Sequence, residues 1–316
     1  MTKQRVLVTG GGGFIAGYVI RELLDQGHQV RATMRSRKPS FDGVEFVQAD
    51  LLDDTGWAEA VDGVDQVLHV ASPVRPGHVE NEDDLIVPAR EGTLRVLRAA
   101  RDAGVRRVVL TSAFHAVGFG HPHTDHVFTE RDWSVLDGPG MDAYGRSKVF
   151  AERAAWEFDR GATELTTVLP VAVLGPVLGS EVSGGNHIVQ RMLTGQMPGF
   201  PDVYIPVVDV RDVADAHVRA MLAPGVDGER FLIANGPAIA LRDIGAILRA
   251  HLGAAASRVP TAMIPDEVVR SHPAMAAFAG ELGYQKQISN EKARRMLGWT
   301  PRPPEEAIIA AGRSLV

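Results

Sequence analysis

Cysteine is absent from the 316 residues of the chain, which excludes disulfides, thiolate metal sites and a thiol nucleophile in one step. Such a chain suits a reducing cytoplasm. Long apolar runs are missing too: no window approaches the stretch of about 18 apolar residues that a membrane helix needs. The strand-like RVLVTG begins at residue 5, which leaves no room for a charged and then apolar leader ahead of the fold. Charge of one sign is also scarce. The net charge is −6, with basic residues scattered along the chain, so neither nucleic acid nor an anionic membrane finds an electrostatic handle. These absences predict a soluble cytoplasmic protein, monomer or homodimer, whose partner is a small molecule. Tyrosine and lysine are rare, four and five in number, and their rarity makes one pairing below informative.

Hydrophobic residues make up 45% and charged residues 23%, ordinary values for a folded chain of one large domain or two interlocked ones. Short β-branched or apolar runs recur at 5–9, 28–34, 44–48, 65–70, 106–111 and 164–170. Each has strand length and reads as buried on both faces. Helical stretches at 14–26, 57–61, 83–103 and 142–160 separate them. This alternation calls for an α/β fold: a doubly wound parallel sheet with right-handed crossovers. Beyond Pro170 the rhythm loosens into a helix at 185–195, a strand over YIPVVDV (204–210), a helix at 211–222, a strand at 229–234, a helix at 241–252 and a helix-rich stretch at 265–316. The expected division gives 1–170 and about 204–235 to a cofactor-binding domain, and about 171–203 and 236–316 to a smaller, discontinuous cap.

TGGGGFIAG at 9–17 follows a strand and opens an amphipathic helix, the context that gives a glycine-rich loop meaning. Gly10 and Gly13 permit a tight turn and close approach to a pyrophosphate, Ala16 lets the helix pack near the sheet, and the helix N-terminus offers its N–H groups. Thr9, Gly10, Gly13, Phe14 and Ile15 are the expected contacts. Sites for NAD usually carry an acid near the end of the second strand, for the ribose 2′-hydroxyl. Here that strand reads VRATMRSRKPS, with Arg31, Arg35, Arg37 and Lys38 and no acid. A basic cluster suits a 2′-phosphate, which predicts NADP(H) with Arg35 as the main contact. Asp50 and Leu51, after the third strand, fall beside the adenine.

YGRSK places Tyr144 and Lys148 four apart on the helix 142–160, hence on one face. With so few of either residue, chance alone gives about 0.06 such pairs in the chain. A tyrosine with its pKa near 10 is a poor acid–base group at neutral pH unless a cation favours the phenolate, and Lys148 supplies one.

Together these stretches resemble an extended short-chain dehydrogenase/reductase, and within that superfamily the dihydroflavonol-reductase-like aldehyde and ketone reductases. The similarity runs through TGGGGFIA, VRATMR, Ala49–Asp50, HVASP (69–73), RRVVLTS, YGRSK, LPVAVLGP (169–176), VDVRDVADAH (208–217) and LGWTPRPPEEA (297–307). The resemblance implies a Rossmann-type fold, NADPH as hydride donor and a Ser–Tyr–Lys catalytic set. It also implies that Ala71 and Ser72 lie near the ribose, and Pro170 and Val173 near the nicotinamide. One departure stands out. The family motif usually reads Thr-Ser-Ser, its second serine catalytic, and this chain has Thr111–Ser112–Ala113. In an extended strand Ser112 points away from the face shared by Thr111 and Ala113. A turn at 112–113 would bring its hydroxyl round, and Ser112 is the expected donor.

His121, His123 and His126, with Asp125 among them, lack the periodicity that would converge metal ligands, so no metal is expected. Phe114, His115, Trp133, Leu178 and Tyr204 are the expected walls of a substrate cleft beyond the strand ends, between sheet and cap. No cluster of bases appears there for a sugar-nucleotide diphosphate, which favours a small hydrophobic carbonyl or alcohol. The leading expectation is therefore an NADPH-dependent reductase of aldehydes or ketones, with Tyr144 as proton donor. A nucleotide-sugar epimerase or dehydratase is the alternative within the fold, and a non-catalytic NADP-sensing binding protein the alternative outside catalysis.

Overall fold

Seven of the apolar runs pair into one parallel sheet: β1 (Arg5–Val8), β2 (Gln29–Met34), β3 (Val44–Gln48), β4 (Gln66–His69), β5 (Arg107–Thr111), β6 (Glu164–Pro170) and β7 (Arg230–Ile233). The structure is a computed structural model that describes residues 3–35, 41–73, 79–179, 181–272, 275 and 278–316. The strand order is β3-β2-β1-β4-β5-β6-β7, so the winding reverses between β1 and β4. In open α/β sheets ligands bind beyond the carboxyl ends of the strands at such a reversal. Here those ends are Thr9–Gly10 and His69–Ala71.

The strand period of two decides which residue meets which layer of helices. Val6 and Val8 join an apolar cluster with Ala16, Val19, Ile20 and Leu23 of α1 (Phe14–Asp25) and Val213, Ala214 and Met221 of α6 (Val210–Leu222). Leu7, between them, joins a cluster on the opposite side, with Trp57 and Ala60 of α2 (Trp57–Val61) and Val96, Leu97 and Ala100 of α3 (Asp83–Asp102). Helix α4 (Ala143–Glu157) packs against α3. A further cluster is built wholly from residues 174–311, including α5 (Asn186–Leu193), α7 (Leu241–Leu252) and α9 (Pro304–Ser314). Tyr284, Trp299, and Ala293 and Leu297 of α8 (Glu291–Leu297) instead pack into the cluster around α1 and α6.

Two expectations need correction. β3 is not buried on both faces: it is the edge strand, and only Val47 is fully covered. YIPVVDV is not one strand. Pro206 has no N–H to give a ladder; before it Tyr204–Ile205 pairs antiparallel with Ile239–Ala240, and after it Val207–Asp209 pairs parallel with Ala172–Leu174. A third short ladder, Val127–Phe128 with Gln287–Ile288, brings the C-terminal stretch against the loop after β5. Among the described residues no helix is long and apolar enough to cross a membrane.

Candidate active site

The glycine loop closes on its neighbours so tightly that side chains would not fit. Gly10 has φ of +70°, and a Cβ there would lie 3.0 Å from Cβ of Ala71. One on Gly11 would lie 2.8 Å from Cβ of Ala32. Thr9 stitches the two switch-point loops together: its Oγ1 accepts the Ala71 N–H at 2.9 Å and lies 2.8 Å from Nδ1 of His69. Helix α1 starts at Gly13 with no side-chain cap, so its first N–H groups are left for an anion. Gly12 and Gly13 are exposed beside the partly covered Phe14 and Ile15. This cradle, which a Cβ would fill, fits a dinucleotide pyrophosphate.

Beyond β2 and β3 an open hollow of about 590 Å³ is lined by Arg35, Gln48, Asp50, Leu52, Asp53 and Thr55. Arg35 is exposed, and it shares this hollow with Asp50, so two of the expected cofactor contacts come together. The loop is stiff: the Trp57 indole N–H reaches the carbonyls of Asp50 and Asp53, both at 3.0 Å. Leu51 packs the other way, against Gly92 of α3. Arg31 is a correction. It is buried and donates to the carbonyls of Glu59, Ala60 and Asp62 and to Glu45, closing the end of α2 rather than joining a phosphate cluster. Arg37 and Lys38 lie outside the described residues.

Tyr144 and Lys148 stand one turn apart on α4, whose first turn is capped by Asp142 accepting the Gly145 N–H at 2.7 Å. Nζ of Lys148 lies 5.7 Å from the Tyr144 ring centroid. Burial pushes the Tyr144 phenol up to about 12, and Asp142 adds to the rise. Burial therefore outweighs the opposing charge of Lys148, and the expectation of a lowered phenol is corrected. Burial pulls Lys148 down to about 8 against the opposing pull of Glu152. Lys148 also lines a small cavity with Ala71, Ser72, Thr111, Ser112 and Glu152, which joins the ribose candidates to the catalytic helix.

Ser112 is turned elsewhere. Ala113 stays extended, with φ −157° and ψ 158°, so the backbone makes no turn at 112–113. Ser112 Oγ donates to Glu152 Oε2 at 2.7 Å. Glu152, fully buried, also receives Thr167 Oγ1, Trp156 Nε1 and the Arg230 guanidinium. The hydroxyl next door is committed as well. His217 Nδ1 lies 2.7 Å from the Val213 carbonyl, so it carries the proton, and Nε2 accepts from Thr111 Oγ1 at 2.7 Å.

Of the expected pocket walls, His115 alone is seen against Tyr144, its ring edge-on with centroids 5.0 Å apart. Phe114 is core, packed edge-on against Phe119 and Phe128. Trp133 lies under the guanidiniums of Arg230 (3.9 Å) and Arg153 (5.1 Å), on the Glu152 side of α4. Leu178 reaches Gly17 of α1, near the glycine loop. Tyr204 sits half-covered in its short ladder with Ala240. Pro170 ends β6 beside Ile233, and Val173 is buried in the ladder with Val208. His121, His123 and His126 diverge, onto the Val117 carbonyl, the Gly280 carbonyl and Asp132.

The model of the NAD dependent epimerase/dehydratase family matches residues 6–234, from β1 through β7. The chain belongs to that family, among the extended short-chain dehydrogenase/reductases. It is 37% identical to cinnamoyl-CoA reductase 1 of Oryza sativa subsp. japonica over 246 residues, 73% of this chain and 71% of that protein. Ketoreductase azaE of Aspergillus niger is 32% identical, the alignment covering 95% of this chain and 94% of its own. Among solved structures, yeast methylglyoxal/isovaleraldehyde reductase Gre2 complexed with NADPH matches with a TM-score of 0.81 at 25% identity, over 98% of both chains.

In this member of the family, three groups at the site carry no signal in the local sequence. Asp142 caps α4 and Glu152 lies on it, but both read as ordinary helix residues. Lys286 arrives from the far end of the chain: its Nζ lies 4.4 Å from the Phe119 ring centroid and pairs with Glu281. The short ladder between 127–128 and 287–288 puts it there, helped by His123, which stacks on Tyr284 and meets the Gly280 carbonyl.

Proposed function

We propose that the chain is an NADPH-dependent reductase of aldehydes or ketones. The observation that carries this reading is Tyr144 and Lys148 on one face of α4, 5.7 Å from ring centroid to Nζ, with Lys148 sharing a cavity with Ala71 and Ser72 at the switch point. Thr9, Gly10, Gly13, Phe14 and Ile15 hold the pyrophosphate, Arg35 the 2′-phosphate, Asp50 and the backbone of Leu51, whose side chain packs on Gly92, the adenine side. Ala71, Ser72 and Lys148 hold the nicotinamide ribose, with Pro170 and Val173 on the nicotinamide side. When bound, NADPH supplies the hydride that reduces the carbonyl carbon. Tyr144, a phenol at neutral pH, holds the proton that the carbonyl oxygen takes. Lys148 keeps a positive charge one turn away and steadies the phenolate left behind. We assign about 171–203 and 236–316 to the cap, a division supported by the separate apolar cluster of residues 174–311, although Tyr284, Ala293, Leu297 and Trp299 pack with the sheet-side cluster. We take the substrate to be a small hydrophobic carbonyl, a reading supported by the stacked rings of His115 and Phe119 beside Tyr144. A chain without cysteine suits the cytoplasm.

The test is NADPH oxidation with isovaleraldehyde, methylglyoxal and benzaldehyde as probes. Turnover of at least one, abolished in Tyr144→Phe, supports the reading. NADPH binding without turnover of any of them would instead favour an NADP sensor, a reading to which Ala113 and the committed Ser112 hydroxyl lend their weight.

A further inference from the structure

A hydride acceptor's oxygen gains negative charge before it gains its proton, and enzymes meet that charge with pre-aimed donors. In this chain the usual source of a second donor is missing. Position 113 is alanine, Ser112 is bonded to Glu152, Thr111 to His217, and Ser147 Oγ donates to the Tyr144 carbonyl at 2.7 Å. No hydroxyl of the β5 end or of the first turns of α4 remains for a substrate beside Tyr144.

His115 occupies the gap. The turn Phe114–Ala116 carries its ring flat onto Phe119, with centroids 4.1 Å apart and planes within 7°, and edge-on to Tyr144 at 5.0 Å. Lys286 also sits over Phe119 and is itself anchored by Glu281, so the support of the imidazole is fixed from a second element. Among the described residues His115 makes no side-chain hydrogen bond, and it is only partly covered. Both ring nitrogens are therefore uncommitted beside the proton donor. Burial, with Lys286 and Lys148 nearby, pulls the imidazole down to about 4, against the pull of Asp142. At neutral pH it is a neutral ring with one N–H to give.

We propose that His115 is a catalytic residue that donates a ring N–H hydrogen bond to the substrate carbonyl oxygen beside Tyr144, in the role a serine hydroxyl has in relatives with Thr-Ser-Ser. The inference rests on the reductase reading. His115 keeps its proton throughout; the proton that ends on the alcohol oxygen is that of Tyr144. A neutral imidazole is suited to this work because it polarises the carbonyl without competing as an acid.

The decisive variant is His115→Phe, which preserves the stack on Phe119 and the edge contact with Tyr144 and removes only the donor. With whichever of isovaleraldehyde, methylglyoxal and benzaldehyde the native enzyme reduces fastest, kcat is expected to fall by about 10²-fold, as for an oxyanion donor. NADPH binding, read by cofactor fluorescence, should stay unchanged and KM should move by less than about threefold. Adding Ala113→Ser to His115→Ala should recover about tenfold or more in kcat, a gain that a packing role would not produce. Native-like kcat in His115→Phe overturns the inference and leaves the reductase reading intact. If His115→Phe does not fold, the paired variants decide, and no recovery overturns it. Failure of the native chain to reduce any of the three, with NADPH bound, overturns the reductase reading and this inference with it.

Discussion

Ser112 and Glu152 are bonded to each other inside the protein, Oγ donating to Oε2 at 2.7 Å, with Glu152 two turns beyond Tyr144 on the same helix. The carboxylate is fully buried and is compensated by Arg230, Thr167 and Trp156 as well. A buried carboxylate that loses one of its donors pays a desolvation cost, so Ser112 belongs to the internal support of α4. Ser112→Ala should therefore destabilise the fold by roughly 1–3 kcal/mol while kcat changes by less than about tenfold. Thermal melts and steady-state kinetics on the same preparation separate the two. A drop of about 10² in kcat without a change in melting would return Ser112 to the chemistry.

In the proposed function Arg35 governs the choice of cofactor. It is exposed at the end of β2 and lines the same hollow as Asp50, while Arg31 is consumed by the end of α2. A charge-assisted contact to the 2′-phosphate becomes repulsion in Arg35→Glu, so the Kd for NADPH should rise far more than that for NADH. Titration of both cofactors by fluorescence checks this. Equal affinity of the native protein for the two would remove Arg35 from this role.

In the proposed reduction Tyr144 gives the proton and Lys148 the charge beside it, so their titration sets the pH dependence. The phenol, pushed up to about 12, is protonated at neutral pH and ready to give its proton. Lys148, pulled down to about 8, is charged below that value and loses its charge as pH rises through it. Reduction should therefore hold level on the acid side of about 8 and fall on the alkaline side. Lys148→Arg, which keeps its charge, should move the fall to higher pH. Tyr144→Phe should lose at least about 10²-fold in turnover at every pH, with NADPH binding retained. An alkaline limb unmoved in Lys148→Arg would assign the titration to another group.

Much of the fold was legible because short apolar runs alternating with helical stretches are local signals: six of the sheet strands fall where apolar runs predicted them, and β7 falls in the strand expected at 229–234. The glycine loop and the Tyr144–Lys148 pair were legible for the same reason, each being a short spacing with one chemical use. What was not legible depends on partners distant in sequence. Whether Ser112 faces a substrate or Glu152 is decided by the buried Arg230, 78 residues beyond that carboxylate. Whether Arg31 meets a phosphate or a helix end is decided by α2. Lys286 reaches Phe119 through a two-residue ladder too short to leave a pattern and through contacts of His123 with Gly280 and Tyr284. Pro206 was visible, but its effect, one run divided between two ladders, depends on which strands lie alongside.

The buried histidines give the protein an acid-sensitive core. His69 and His217 are almost fully buried, 1% and 0% exposed, and burial pulls their pKa values from 6.5 to about 3 and about 4. Between pH 6.5 and about 4 the unfolded chain takes up a proton at each that the folded chain refuses, so stability falls as pH falls. The slope is about 1.4 kcal/mol per pH unit for each histidine. The carboxylates held below their ordinary range, Glu45, Asp132 and Asp227, act in a lower window: their stabilising effect is present above about 4 and is lost below it. The two contributions therefore separate along the pH axis. Urea unfolding at pH 7, 6, 5 and 4.5 (chosen to span about two units above the carboxylate window) should show a steady loss in the native chain. In His217→Gln, which retains polar atoms for Thr111 and the Val213 carbonyl but cannot titrate, the loss should be shallower by close to one histidine's share. An unchanged slope in that variant, with the fold intact at pH 7, would mean that the acid sensitivity lies in other groups.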